Sequence, residues 1–248
     1  MADQQTLAAV RAAAGPIEAI GASCMLDPQM FQGSTDNGYG HPFAGYFAGR
    51  GGVLGDAPAE VVTAVFQVFE PNAVKLFWDQ GVAVHGARKG AELYADQLAG
   101  WARDRLKETP DLERLCELGQ KLIDATPGNG LPLYAGWKAM PLPDDTPARA
   151  MQILFVLREL QGAVHLAALT AAGLDPVAAH LLNKGPEYCS MFGWQEPWPA
   201  IDHLKATREQ VVETTNDRLA AIWANALTPE EATELADLAV SALGSVTG

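Results

Sequence analysis

Three side chains able to carry charge or move protons lie inside an otherwise apolar run. They are Arg158, Glu159 and His165, between Ala150 and Ala172 of DTPARAMQILFVLRELQGAVHLAALTAAGL, residues 145–174. A guanidinium can hold or polarise an oxyanion, and an imidazole can transfer a proton near neutral pH. Arg158 and His165 are seven residues apart, a net rotation of about 20° at roughly 100° per helical residue, so they share a face. Gly162 lies between them and leaves a notch without side-chain atoms. A mid-helix glycine costs about 1 kcal/mol against alanine, so the notch should serve either close packing or a ligand. Glu18 stands alone among apolar neighbours in PIEAIGASCML, a setting suited to a general acid or base. The candidate catalytic set is therefore Arg158, His165 and Glu18. The candidate substrate-binding set is Tyr46 and Arg50, spaced i,i+4 in FAGYFAGR, with Glu159, Gly162, and Trp194 and Trp198. These last two, also at i,i+4 beside a flexible loop, could roof an apolar pocket.

The elements that must position these residues read as helices throughout. Thr146 suits an N-cap, Pro147 the first helical position and Gly173 a left-handed stop, which predicts a central helix over about 147–172, apolar on nearly every side. Before it we expect helices over 3–14 and 17–26, broken at Gly15-Pro16, then a loop over 27–41 able to act as a lid. Further helices are expected over 43–50, from Asp56 and Pro58 to Phe69, and over 72–80, 87–108 and 111–125. The Pro-rich run 131–147 should lead into the central helix as a connection. After it, helices are expected from Pro176 to Gly185, over 196–207, over 208–226, and from the capping box Thr228-Pro229-Glu230-Glu231 to about Leu243. No strand alternation of any length occurs. The expected fold is all-α: a helical ligand-binding body over 1–174, and a helix-turn-helix-like C-terminal module over 175–248 packed on it.

Composition narrows the function classes. A chain of 248 residues, 48% hydrophobic and 19% charged, can bury a full core, and a net charge of −13 argues against phosphate backbones as main partner. Cys24, Cys116 and Cys189 are odd in number and lack CxxC spacing, so neither a disulfide framework nor a thiolate zinc site is expected. The N-terminus has no basic region followed by an apolar core. The central run carries Arg158, Glu159, Gln161 and His165, so we read a soluble cytoplasmic protein with no membrane partner.

The blocks PIEAIGASCML, FAGYFAGRGGVLGDAPAEVVTAVFQVF, LRELQGAVHLAALTAAGLDPVAAHLL and VVETTNDRLAAIW, in that order, resemble the actinobacterial SalK/EvbL-like family. The resemblance covers roughly Pro16 to Leu238, and GYFAGR and AEVVTA are its most specific parts. It implies an all-helical body, a winged-helix-like C-terminal part and a role in specialised metabolism, with no established reaction. The chain departs from the pattern at Glu18, where the family is expected to carry His. In the REHRGDGH-like block it keeps Arg158, Glu159, Gly162 and His165 but has Leu160, Gln161, Ala163 and Val164. The hairpin wing expected near Ala206–Arg208 is absent, because HLKATREQVV passes directly from one helix to the next.

Two functions follow as expectations. The first is a biosynthetic enzyme acting on a largely apolar small molecule by acid-base chemistry without a cofactor, as a cyclase, isomerase or related catalyst. Arg158 would hold an oxyanion, His165 would transfer a proton, and Glu18 would act as acid or base. The second is a ligand-responsive regulator or small-molecule binding protein. Against DNA contact stands the segment 184–223, where Lys184, Lys205, Arg208 and Arg218 face Glu187, Glu196, Asp202, Glu209, Glu213 and Asp217. Each candidate also has a purely structural reading: Arg158 and Glu159 as core ion pairs, His165 as a hydrogen-bonded core histidine, Glu18 neutralised by Arg50 or Arg158. No phosphate loop, nucleophile elbow or HExxH motif is present, and no metal is expected. Glu159 and His165 lie about 120° apart on a helix and would not converge easily on one ion. Small-residue helices such as 43–49 suggest a homodimer.

Overall fold

The computed structural model describes residues 2–247. Acidic caps followed by proline start several of its helices: Asp27-Pro28, Glu70-Pro71 and Asp175-Pro176 each place a side-chain oxygen on a first-turn amide. In chain order the helices are α1 (Gln4–Met25), α2 (Pro28–Asp36), α3 (Pro42–Gly51), α4 (Ala59–Val65), α5 (Pro71–His85) and α6 (Ala87–Arg105). Then come α7 (Leu112–Ala125), α8 (Pro132–Lys138), α9 (Thr146–Ala171), α10 (Pro176–Lys184), α11 (Pro186–Met191), α12 (Lys205–Ala224) and α13 (Pro229–Thr247). No strand occurs among the described residues, so the fold is all-α as expected.

Helix α9 is the axis. Residues Ala150 to Leu157 are buried on every side, and α1, α6, α7, α8 and α12 pack around them. By length and composition α9 would suffice to cross a bilayer. In this fold its N-terminal half is the protein core. Its cap is Asp145, one residue earlier than read from the sequence, with Oδ1 accepting from the Ala148 amide at 3.2 Å. Gly173 ends it at φ +64°, the left-handed stop that glycine allows. The main core continues across residue 174. It joins Ile20, Trp101, Leu118 and Phe155 to Leu219, Trp223, Leu235 and Ala239 of α12 and α13.

Several helix boundaries differ from the sequence reading, each for a packing or capping reason. Helix α1 runs unbroken through Gly15-Pro16. An interior proline costs about 3 kcal/mol, but Val10, Ala13, Ile17 and Ile20 are all buried against α9, α12 and α13, which outweighs the lost amide. The loop expected over 27–41 is mostly α2, whose Met30 and Ser34 are buried, so it is no lid. The helix from Asp56 stops at Val65, and Phe66 and Phe69 turn into a second aromatic cluster with Phe47 and Trp78. The Pro-rich connection folds into α8 because Leu133, Tyr134 and Trp137 are buried. The helix expected over 196–207 is missing until Asp202. Gly193 takes φ +95°, and Pro197 and Pro199 remove amides that a helix would need.

Candidate functional site

Helix α3 delivers Arg50 to the middle of α9. The two arms of Arg50 donate to Glu159, Nε to Oε1 at 2.8 Å and Nη2 to Oε2 at 2.9 Å, while Nη1 donates to the Tyr46 hydroxyl at 2.8 Å. Glu159 is only 1% exposed. The approach depends on Gly49, where a Cβ would lie 2.6 Å from the Tyr94 ring. The Arg50 guanidinium lies over the Phe66 ring at 4.6 Å, and its carbonyl accepts from the Trp137 indole at 3.0 Å. Burial opposes the Glu159 carboxylate, but Arg50, and then Arg158, outweigh it and hold the carboxyl below its usual range. Burial likewise opposes the charge of Arg50, and Glu159 and Tyr46 hold it firmly protonated.

Arg158 is the second guanidinium on that carboxylate, with Nη1 donating to Glu159 Oε1 at 3.0 Å. Its arm lies across α1 at Gly21, where a Cβ would meet Arg158 Cδ at 2.3 Å and Nε at 2.7 Å. The close-packing notch is therefore Gly21. Gly162 differs: a Cβ there would have no neighbouring atom within 4 Å, so this face of α9 is open between Arg158 and His165.

His165 turns to α12, where Nδ1 lies 3.1 Å from Thr215 Oγ1. Thr215 spends its own proton on the Val211 carbonyl at 2.7 Å, so its oxygen accepts from His165 Nδ1–H. That tautomer leaves Nε2 with a free lone pair, the arrangement of a base. Burial first, and the charge of Arg208 second, lower the imidazole pKa, with Glu18 opposing them, so the neutral form prevails at pH 7. Glu159 and His165 thus point to different helices, in line with their angular separation on α9.

Glu18 is not enclosed by apolar neighbours and is not neutralised by Arg50 or Arg158. It pairs with Lys184 of α10 at 2.9 Å, with side chains 45% and 36% exposed, because its turn of α1 faces the C-terminal helices at the surface. Glu18 still shares a neighbourhood with His165 through its charge. Trp194 and Trp198 do not share a helical face. The Trp194 indole donates to the Val68 carbonyl at 2.8 Å, and the intervening segment is not helical. Phe192 is the aromatic that docks there, its ring 4.1 Å from Phe69, which in turn lies 5.8 Å from Tyr46. Tyr94, Gly21 and Thr215 escaped the sequence reading, and Lys184 entered it only as a C-terminal cation, since each belongs to the site only through contacts from other helices. A crevice of about 10 Å³ between α1, α9 and α12, lined by Val10, Ala13, Leu157, Gln161 and Trp223, has room for little more than one water.

The model of a helix-turn-helix family matches residues 10–247, nearly the whole chain. The chain belongs to that helix-turn-helix family. No curated protein and no solved structure matches it. Family membership accords with the helical architecture and names no reaction. In this helix-turn-helix protein three of the four C-terminal cations named above are already engaged: Lys184 with Glu18, Lys205 with Asp202 at 2.8 Å, and Arg208 with the Asn183 side chain at 3.0 Å.

Proposed function

We propose that the chain is a biosynthetic enzyme of the SalK/EvbL-like kind, acting on a largely apolar small molecule by acid-base chemistry. The observation that carries this reading is the face of α9 on which Arg158, the open Gly162 and His165 follow one another. Arg158 holds an anionic oxygen of the substrate, and His165 Nε2, about two turns further along α9, takes or returns the proton at the reacting end. Tyr46 and Arg50 set the position of Glu159, and Glu159 that of Arg158. Glu18 with Lys184 forms the charged rim. The experiment is native mass spectrometry of the freshly purified protein, to find a co-purifying small molecule, followed by turnover of that molecule and its relatives. His165→Ala should lower turnover by about 10²–10⁴-fold. Unchanged turnover in both His165→Ala and Arg158→Leu would refute the assignment.

The family match favours a second reading, a ligand-responsive regulator with the same pocket as sensor. Its test is a gel shift at low salt with DNA from the gene's own neighbourhood. A regulator should bind and lose affinity steeply with added salt, whereas the acidic, internally paired C-terminal helices lead us to expect no shift.

A further inference from the structure

The centre around Glu159 holds more donors and more positive charge than its acceptors use. Two guanidinium groups share one carboxylate, which leaves a net charge of +1 in the interior. Arg50 spends its Nε and Nη2 edge on Glu159, but Arg158 spends only Nη1 there. Arg158 Nε is buried with no hydrogen-bond partner, and so is the hydroxyl of Tyr94, a residue 4% exposed. Both guanidinium charges act on that phenol, and the Tyr94 ring lies 6.3 Å from that of Tyr46. Unpartnered buried donors are costly, more so when charged, so a surplus of donors around a surplus of positive charge calls for an anionic acceptor.

We propose that this centre is the docking point for the carboxylate of a ligand, received on the unspent edge of Arg158 with the Tyr94 hydroxyl as further donor. A single residual positive charge and a planar guanidinium edge suit a monoanion with two coplanar oxygens. A phosphate dianion would overcompensate the charge. The Arg158 side chain is 21% exposed, and one turn along α9 a Cβ at Gly162 would meet no atom within 4 Å, so the proposal takes entry from that side. Arg158 and His165 are separated by about 10 Å along the helix axis, seven residues at 1.5 Å rise. A ligand bound by its carboxylate at Arg158 and presented to His165 must therefore carry a medium-length apolar body. This inference deepens the proposed function and rests on it for the direction in which the ligand lies. The carboxylate docking itself is tested without turnover.

The probe is octanoate, compared with octanamide and with sodium chloride at matched concentration. Binding is followed by calorimetry and by the Nε–H signal of Arg158 in protein labelled with ¹⁵N-arginine. Saturable octanoate binding that shifts the Arg158 signal, with octanamide and chloride silent, is expected. Arg158→Leu should weaken it about tenfold or more and Tyr94→Phe severalfold, each with the wild-type circular dichroism spectrum. Tyr94→Phe keeps the packed ring, so it reports even if Arg158→Leu does not fold. Equal binding of octanoate and octanamide, an equal effect of chloride, or octanoate binding indifferent to both substitutions overturns the proposal. Octanoate binding that needs Arg158, in a protein whose turnover ignores His165, would sink the proton-transfer role of His165 and keep the carboxylate site. Turnover that needs His165 without any carboxylate preference would do the reverse.

Discussion

Arg50 of α3 and Glu159 of α9, 109 positions apart in the chain, meet in a bidentate ion pair at 2.8 and 2.9 Å, almost wholly removed from solvent. Removing Glu159 strands the Arg50 charge in the core, and removing Arg50 leaves Glu159 Oε2 without its donor and Arg158 alone to balance the carboxylate, so either single change costs more than the intact pair contributes. Arg50→Leu should therefore lower the free energy of unfolding by about 3–5 kcal/mol, measured by urea denaturation. The double substitution Arg50→Met with Glu159→Leu should cost clearly less than the sum of the two single changes. Additive losses would mean that the two residues do not act as a pair.

Two glycines, Gly21 of α1 and Gly162 of α9, should respond in opposite directions. Gly21→Ala puts a Cβ 2.3 Å from Arg158 Cδ and must push that arm aside, at a cost of about 1–3 kcal/mol. Adding Arg158→Ala to Gly21→Ala should recover much of that loss, because the clash is then gone. Full loss in the double variant would place the strain elsewhere.

Gly162→Ala meets no atom within 4 Å. It should raise stability by about 1 kcal/mol through helix propensity alone, seen as a higher urea midpoint. On the proposed function the same methyl group narrows the ligand face, so octanoate affinity should fall while stability rises. A destabilised Gly162→Ala would show that the face is packed.

His180 sets an acid limit to stability. It is buried between Tyr188 and Phe192, its Nε2 has no partner, and burial, reinforced by Lys184, pulls its pKa down to about 4. Above about pH 6.5 the residue is neutral in both folded and unfolded chains and contributes nothing to the pH slope. Below that the unfolded chain takes up a proton that the folded one refuses until about pH 4. Stability should therefore fall across this window, by up to about 3 kcal/mol. His165, also lowered, adds a slope of the same sign. Urea midpoints between pH 4 and 7 should show His180→Phe with a flatter slope than wild type. An unchanged slope would assign the acid sensitivity to other groups.

Much of the fold is legible because its signals are local. Pro147 and Gly173 bracket α9 within a residue, and the Thr228–Glu231 capping box forms as written, with the Thr228 amide donating to Glu231 at 2.9 Å and the Glu231 amide to Thr228 at 3.2 Å. The i,i+4 spacing of Tyr46 and Arg50 likewise becomes a direct hydrogen bond. Where local signals misled, packing overruled them: Pro16 stays inside α1 because its neighbours are buried, and the segment 28–36 folds into α2 over Met30.

The sequence by itself determined the helical class, the position of the central helix and which charged residues lie on it. These depend on periodicity, capping and composition within a few turns of chain. Only the tertiary structure decided where those charges go. Arg50 takes the carboxylate of Glu159, Gly21 makes room for Arg158, Lys184 draws Glu18 to the surface, and Thr215 leaves His165 a free Nε2. Each of these is a contact between helices far apart in the chain, and a buried charge takes its partner from whichever helix packing brings within about 3 Å. Spacing along one helix gives the face on which a side chain starts, and the neighbouring helices decide what it meets.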